Sequence, residues 1–287
     1  MSIIITHRDD GVAVLTFDQP ESRANVLSTQ LWNDLDAAVK TIGETPNVRG
    51  LVLASAKPGI FIAGADLKLL GEAGENDPRV REFINLGSRV LARLEGLPCA
   101  TIAAIDGAAL GGGLEVALAC DFRIVGTHPK IQLGLPEVSL GLIPGWGGTQ
   151  RLPRLVGLVR ASEMMTTGKA LGAVEAVAAD LATEQLSSET LIESAATFLL
   201  NLSTDLKAQA RALKRQPLPA ADRAAFTPSF DDDSPAIREG MSVLTRGAAL
   251  PLTEGLCLET DAFCRLAGTE QSKEKIAAFF NRRLQKS

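Results

Sequence analysis

The chain has 287 residues, 46% of them apolar and 22% charged, with 29 Lys and Arg against 34 Asp and Glu for a net charge of −5. That balance supports a sizeable core in one large domain or two smaller ones, and it excludes wholesale disorder. The mild acidity and the lack of a basic stripe argue against a nucleic-acid partner, and 26 Gly and 14 Pro without a fixed period exclude a collagen-like fibre. In chain order, Val12–Phe17 is β-rich and runs into the turn signal Asp18-Gln19-Pro20. Ser28 is placed to cap an amphipathic helix reaching about Ile42. Gly50–Ala54 and Ala100–Ile105 read as buried strands. Between them, Phe83, Leu86, Val90, Leu91 and Leu94 fall at helical spacing over Arg79–Leu94. Strands alternating with helices indicate an α/β core.

The character changes after Ser187. Leu191–Leu200, Lys207–Leu213, Ser234–Val243 and Glu270–Leu284 read as helices, punctuated by Gln216-Pro217-Leu218-Pro219 and by Asp231-Asp232-Asp233. The expected organisation is an α/β core over residues 1–186 and an all-helical region over 187–287. The apolar faces of those helices pack on the core or on another subunit; the sequence allows both. The most apolar stretch, Ala100–Leu118, is interrupted by Asp106 and Glu115, short of the about 20 apolar residues a membrane span needs. The first ten residues have no basic lead and too short an apolar run for a signal peptide. The expected address is therefore the cytoplasm, or an organelle matrix after removal of a transit peptide. Cys99, Cys120, Cys257 and Cys264 form no C-x-x-C pair, and only His7 and His128 are present, so neither a disulfide framework nor a metal centre is expected.

Three glycine-rich segments sit where strands lead into helices. These are Phe61–Leu67, Asp106–Glu115 and Ile143–Leu152. Small residues let a ligand approach the backbone, and free amides at a helix start favour an anion or a developing oxyanion. Plain turn geometry accounts for any one of them equally well. None contains G-x-G-x-x-G, a phosphate-binding G-x-x-x-x-G-K-[ST] or a G-x-S-x-G nucleophile elbow. Two carboxylates stand in apolar company: Glu115 among Leu114, Val116, Ala117 and Leu118, and Glu137 between Leu135-Pro136 and Val138. Singly, either one fits a local structural role. As a pair beside glycine-rich loops they suit acid/base chemistry, because burial raises a carboxyl pKa toward neutrality.

Ala63-Gly64-Ala65-Asp66, Gly107…Gly111-Gly112-Gly113-Leu114-Glu115 and Leu135-Pro136-Glu137…Gly141-Leu142-Ile143-Pro144-Gly145…Gly148-Thr149-Gln150-Arg151-Leu152 together resemble the crotonase (enoyl-CoA hydratase/isomerase) superfamily. The resemblance runs in one register from about Ile3 to about Arg283, including Asn25-Val26-Leu27 and Ala278-Phe279…Arg282-Arg283. It implies an α/β fold with a spiral (ββα)n core and a C-terminal helical region used in trimerisation. It also implies an acyl-CoA thioester substrate, with coenzyme A carried by the substrate and no separate cofactor. The thioester oxygen would lie between the backbone N–H groups of Ala65 and Gly112, where losing one donor costs about 2.7–4 kcal/mol of transition-state stabilisation. Glu115 would deprotonate the attacking water and Glu137 would protonate Cα, the arrangement of enoyl-CoA hydratases. The resemblance places substrate and CoA contacts at Arg23, Ala24, Ala63, Gly64, Asp66, Leu67, Gly111, Pro136, Gly145 and Trp146. It implies homotrimers or dimers of trimers, with the basic last helix (Lys273, Lys275, Arg282, Arg283, Lys286) reaching a neighbouring subunit.

At several of these positions a second role is open. Arg23 is a phosphate ligand or a solvated loop residue, Asp66 caps the following helix, and Trp146 packs or limits acyl length. Glu115 and Glu137 lie 22 residues apart, slightly more than is usual in such hydratases, with the extra length expected in a surface loop at Thr127-His128-Pro129-Lys130. Asn25-Val26-Leu27-Ser28 is also similar to the N-terminal hydratase domain of multifunctional fatty-acid-oxidation α-subunits, so a stand-alone protein and an excised domain are both open. The competing functions are a Δ3,Δ2-enoyl-CoA isomerase and a non-catalytic acyl-CoA-binding protein.

Overall fold

The structure, a computed structural model, describes residues 2–228, 230, 232 and 234–284. Asp231, Asp233 and Lys286 of the sequence reading lie outside them, as does the side chain of Arg283. The chain opens with β1 (Ile3–His7) and β2 (Val12–Phe17), paired antiparallel. In α1 (Thr29–Glu44) the Ser28 hydroxyl accepts the Leu31 N–H, the expected cap, and Leu31, Trp32, Leu35, Val39 and Ile42 form the buried stripe.

A two-strand step then recurs. Strand β3 (Gly50–Ser55) is followed by β4 (Gly59–Ile62) and by helices α2 (Leu67–Glu72) and α3 (Pro78–Glu95). Next come β5 (Ala100–Ile105), β6 (Gly107–Leu110) and α4 (Gly112–Ala119), and then β7 (Phe122–Val125) and β8 (Gln132–Gly134). The first strand of each step joins one sheet and the second strand joins another. A six-stranded sheet results in the order β1-β2-β3-β5-β7-β9, where β9 is the later two-residue strand Glu184–Gln185, parallel from β2 onward, beside a parallel three-stranded sheet β4-β6-β8. This is the α/β spiral core that the resemblance implies. Helix α4 is buried on every side, so its first turn faces the interior of the spiral.

A 3-10 turn (Glu137–Leu140) leads to α5 (Gly148–Arg151), α6 (Pro153–Thr167, bent at Gly157), α7 (Ala173–Ala178) and the short β9 (Glu184–Gln185). The expected helical region follows as α8 (Leu191–Leu200), α9 (Thr204–Arg215), α10 (Ala220–Ala225), α11 (Pro235–Gly247), α12 (Leu252–Leu266) and α13 (Glu270–Leu284). Helix α8 covers the outer face of the large sheet, setting Leu191, Ala195, Ala196 and Leu199 on Val14, Val52, Ile102 and Ile124. Helix α13 lies on its own core. Ile276 meets Gly71 of α2, and the Lys275 Nζ donates to the Val138 carbonyl at 3.3 Å. Of the two packings the sequence left open, the core is the one found within the chain. Thr127–Lys130 is the expected surface loop.

Candidate active site

Asn25 joins the segments that frame the site. Fully buried, it accepts the Gln19 N–H at Oδ1, and its Nδ2 lies within hydrogen-bonding distance of the Phe17 and Phe61 carbonyls and the Ser55 hydroxyl. Its own carbonyl accepts the Ala63 N–H at 2.9 Å. One step on, the Leu27 N–H donates to Gly64 O and Leu27 O accepts the Asp66 N–H, an isolated parallel bridge that leaves the Ala65 N–H pointing away from Leu27. Opposite lies the start of α4, where Gly112 is the first helical residue and its N–H has no intrahelical acceptor. The two segments touch. A Cβ on Gly64 would sit 3.5 Å from Leu110 O, and one on Gly111 would sit 4.0 Å from the Gly64 Cα. Gly64 and Gly111 have φ +120° and +53°, a backbone conformation that favours glycine at both positions. The two amides singled out from the sequence thus share one side of the spiral.

Glu115 is buried in the first turn of α4, and its Oε1 accepts the N–H groups of Trp146 and Gly148, both at 2.7 Å. Burial raises its pKa to about 7, opposed by those amides and by the Arg151 charge. Glu137 begins the turn after β8. As a residue it is half-buried, but its Oε2 is covered and has no hydrogen-bond partner among the described residues, while its Oε1 lies 2.9 Å from where a Gly111 Cβ would be. Burial first, then the charges of Glu115 and Glu259, push its pKa well above the ordinary carboxyl range. The counter-charge is Arg151, fully buried and bound in a fork to Glu95 at 2.8 and 2.9 Å, with Nη1 donating to Trp146 O at 2.7 Å. The site therefore combines the Ala65 and Gly112 N–H groups, which find no acceptor among the described residues, with two carboxyls whose pKa values burial raises.

A third glutamate escapes the sequence reading. Glu259 of α12 is fully buried, accepts the Gly147 and Thr149 N–H groups and the Thr149 hydroxyl, and is raised to about 8 by burial and by Glu115. The available signal was a charge in phase with the buried stripe Leu252, Gly255, Ala262, Phe263 and Leu266.

Residues 7–233 match the sequence model described as enoyl-CoA hydratase/isomerase. The chain belongs to that family. Among solved structures, this family member is similar to the enoyl-CoA hydratase of Bacillus anthracis, with 31% identity over 98% of this chain and 97% of that one and a TM-score of 0.64. It is also similar to DspI of Pseudomonas aeruginosa, with 30% identity over 74% and 84% of the two chains and a TM-score of 0.64. An enoyl-CoA hydratase of Rhodobacter sphaeroides 2.4.1, 22% identical over 99% and 90% with a TM-score of 0.77, shows the shared crotonase fold.

The remaining expected contacts divide by position. Ala63, Gly64 and Leu67 flank Ala65, and Pro136 precedes Glu137. Asp66 caps α2 through Oδ1 and the Lys68 N–H, the structural role the sequence suggested. Arg23 lies exposed at the loop surface, with Ala24 half-buried beside it. Gly145 is packed against Ile84 and Phe263. Trp146 is buried, edge-on to Trp32 and Phe83, with its indole N–H donating to Ile84 O at 3.1 Å. Its six-membered ring lies against Gly112, 2.7 Å from where a Cβ would be.

Proposed function

We propose that this family member hydrates trans-2-enoyl-CoA to 3-hydroxyacyl-CoA. The observation that carries the proposal is the pair of buried carboxyls, Glu115 and Glu137, flanking the start of α4 with different surroundings. Glu115, at about 7 and held by two amides, is ionised in a large fraction of molecules at neutral pH and suits a general base. Glu137, raised further and with an unpartnered Oε2, holds its proton and suits a general acid. In the proposed reaction Glu115 removes a proton from water as the water oxygen bonds to Cβ. The double-bond electrons move onto the thioester oxygen, giving an enolate held by the Ala65 and Gly112 N–H groups. Glu137 then gives its proton to Cα, and return of one proton from Glu115 to Glu137 restores the starting state. Coenzyme A is part of the substrate, and the reaction calls on neither a metal nor a separate cofactor. The assembly proposed, on the family resemblance, is a trimer or a dimer of trimers.

Trp146 limits the acyl chain in this proposal, because its ring occupies the apolar side of Gly112. Trp146→Ala is expected to move the preference from a four-carbon to a medium-chain 2-enoyl-CoA, read as the ratio of kcat/KM values. An unchanged ratio assigns the ring to packing alone.

Δ3,Δ2-isomerisation is the competing reaction, because a single carboxyl is enough for it: ionised Glu137 would take a proton from Cα of a 3-enoyl-CoA and return it to Cγ as the double bond moves. The two single variants separate the reactions. Hydration requires both residues, so Glu115→Gln and Glu137→Gln each abolish most turnover of a 2-enoyl-CoA. An isomerase keeps its activity on a 3-enoyl-CoA in Glu115→Gln, and a binding protein retains acyl-CoA without turning over either substrate.

A further inference from the structure

Four consecutive peptide N–H groups alternate between two buried carboxyl groups. Trp146 and Gly148 donate to Glu115 Oε1, while Gly147 and Thr149 donate to Glu259 Oε1 and Oε2. Glu115 comes from the spiral core and Glu259 from α12, more than a hundred residues beyond the loop. The segment is pinned from a third side by Arg151, which donates to Trp146 O. Gly147, with φ +103°, leaves no room for any other residue, since a Cβ would lie 1.6 Å from Arg151 Nη1. Burying a carboxylate costs free energy unless its partners compensate. Glu259 has three donors as partners, yet no chemical step of the hydration uses it.

We propose that Glu259 is the positioning residue for Glu115. By gripping every second amide of Trp146–Thr149, it aims the intervening amides at Glu115 Oε1 and fixes that carboxylate beside the start of α4. Its effect on turnover rests on the hydration proposal, whereas its effect on the loop does not.

The test pairs two readouts on full-length wild type, Glu259→Gln and Thr149→Val. Glutamine keeps the volume of the side chain but offers one acceptor where two are needed, and valine removes only the hydroxyl bond. Hydrogen exchange read residue by residue is expected to show faster exchange at Trp146 and Gly148 in Glu259→Gln, with wild-type protection in α1 and β3. With crotonyl-CoA as the probe, kcat is expected to fall by about 10²-fold, the usual cost of misplacing a reacting group by an ångström, while KM stays near wild type. Thr149→Val shows the same pattern more weakly and decides the matter if Glu259→Gln does not fold. Wild-type exchange at Trp146 and Gly148 in the folded variant, or an unchanged kcat in an enzyme that hydrates crotonyl-CoA, overturns the positioning role. Faster exchange at those two amides in a protein that never hydrates crotonyl-CoA supports the positioning of Glu115 and rejects hydration instead.

Discussion

Glu115 and Glu137 show how one residue type is given two different proton affinities by its surroundings. Two amides and the nearby Arg151 charge pull Glu115 back toward ionisation, while Glu137 has neither aid at Oε2. The pH profile of kcat/KM should therefore rise through about pH 7 as Glu115 ionises and fall at higher pH as Glu137 loses its proton. Glu115→Gln should remove the limb near 7, and either glutamine variant should lower turnover by about 10²–10⁴-fold. A profile flat across that range would contradict the assignment. Both glutamates were legible because each stands alone among apolar neighbours. Glu259 was not, because Glu254, Asp261 and Arg265 share its helix and dilute the signal of a charge on the buried face. Asn25 was legible only as part of a family motif. Its four-way hydrogen bonding joins residues up to 36 positions apart and leaves no local trace.

Helix α4 is the element on which the site depends. Its first turn carries Gly112 and Glu115, and its last carbonyls, from Leu118, Ala119 and Cys120, accept the buried Lys214 ammonium of α9 at 3.5, 3.0 and 2.8 Å. The cation sits at the negative end of the helix, and desolvation lowers its pKa to about 8. Lys214→Met should cost about 1–3 kcal/mol through unsatisfied buried carbonyls, measured as a lower urea midpoint at unchanged slope. An unchanged midpoint would remove Lys214 from the support of α4. At the other end, a Cβ on Gly113 would lie 2.2 Å from Ile62 O, so Gly113→Ala must push α4 off β4. The long strands and amphipathic helices were legible from periodicity. Strands β4, β6 and β8 were not, because runs of three or four residues are too short to show alternation. They exist because the longer strand before each one delivers the chain to the second sheet.

At the scale of the molecule, the three acids make folding stability depend on pH. Glu115, Glu259 and Glu137 hold protons in the fold that the unfolded chain releases from about pH 4.5 upward. A raised folded pKa gives stability that is complete below the unfolded value and is lost as pH rises through the folded one. Stability should thus decline between about pH 5 and 8, by on the order of 3 kcal/mol for Glu115 alone. Lys214, lowered to about 8, acts in the opposite sense and above that window. Thermal melts across pH 5–8 check the slope, which should be shallower in Glu115→Gln; a flat profile in the wild type would show that these acids are ionised throughout. The α/β class and helical C-terminal region were legible because composition and periodicity are properties of long stretches. The packing of α13 was not, since a basic amphipathic helix fits its own core and a neighbour equally well. The central claim is hydration by Glu115 and Glu137. Its most direct test is the absorbance of the conjugated thioester when purified wild type and Glu115→Gln meet crotonyl-CoA. Hydration predicts rapid loss of absorbance with the wild type and almost none with the variant. No loss with wild type that demonstrably binds the thioester, or equal loss with both proteins, would contradict it.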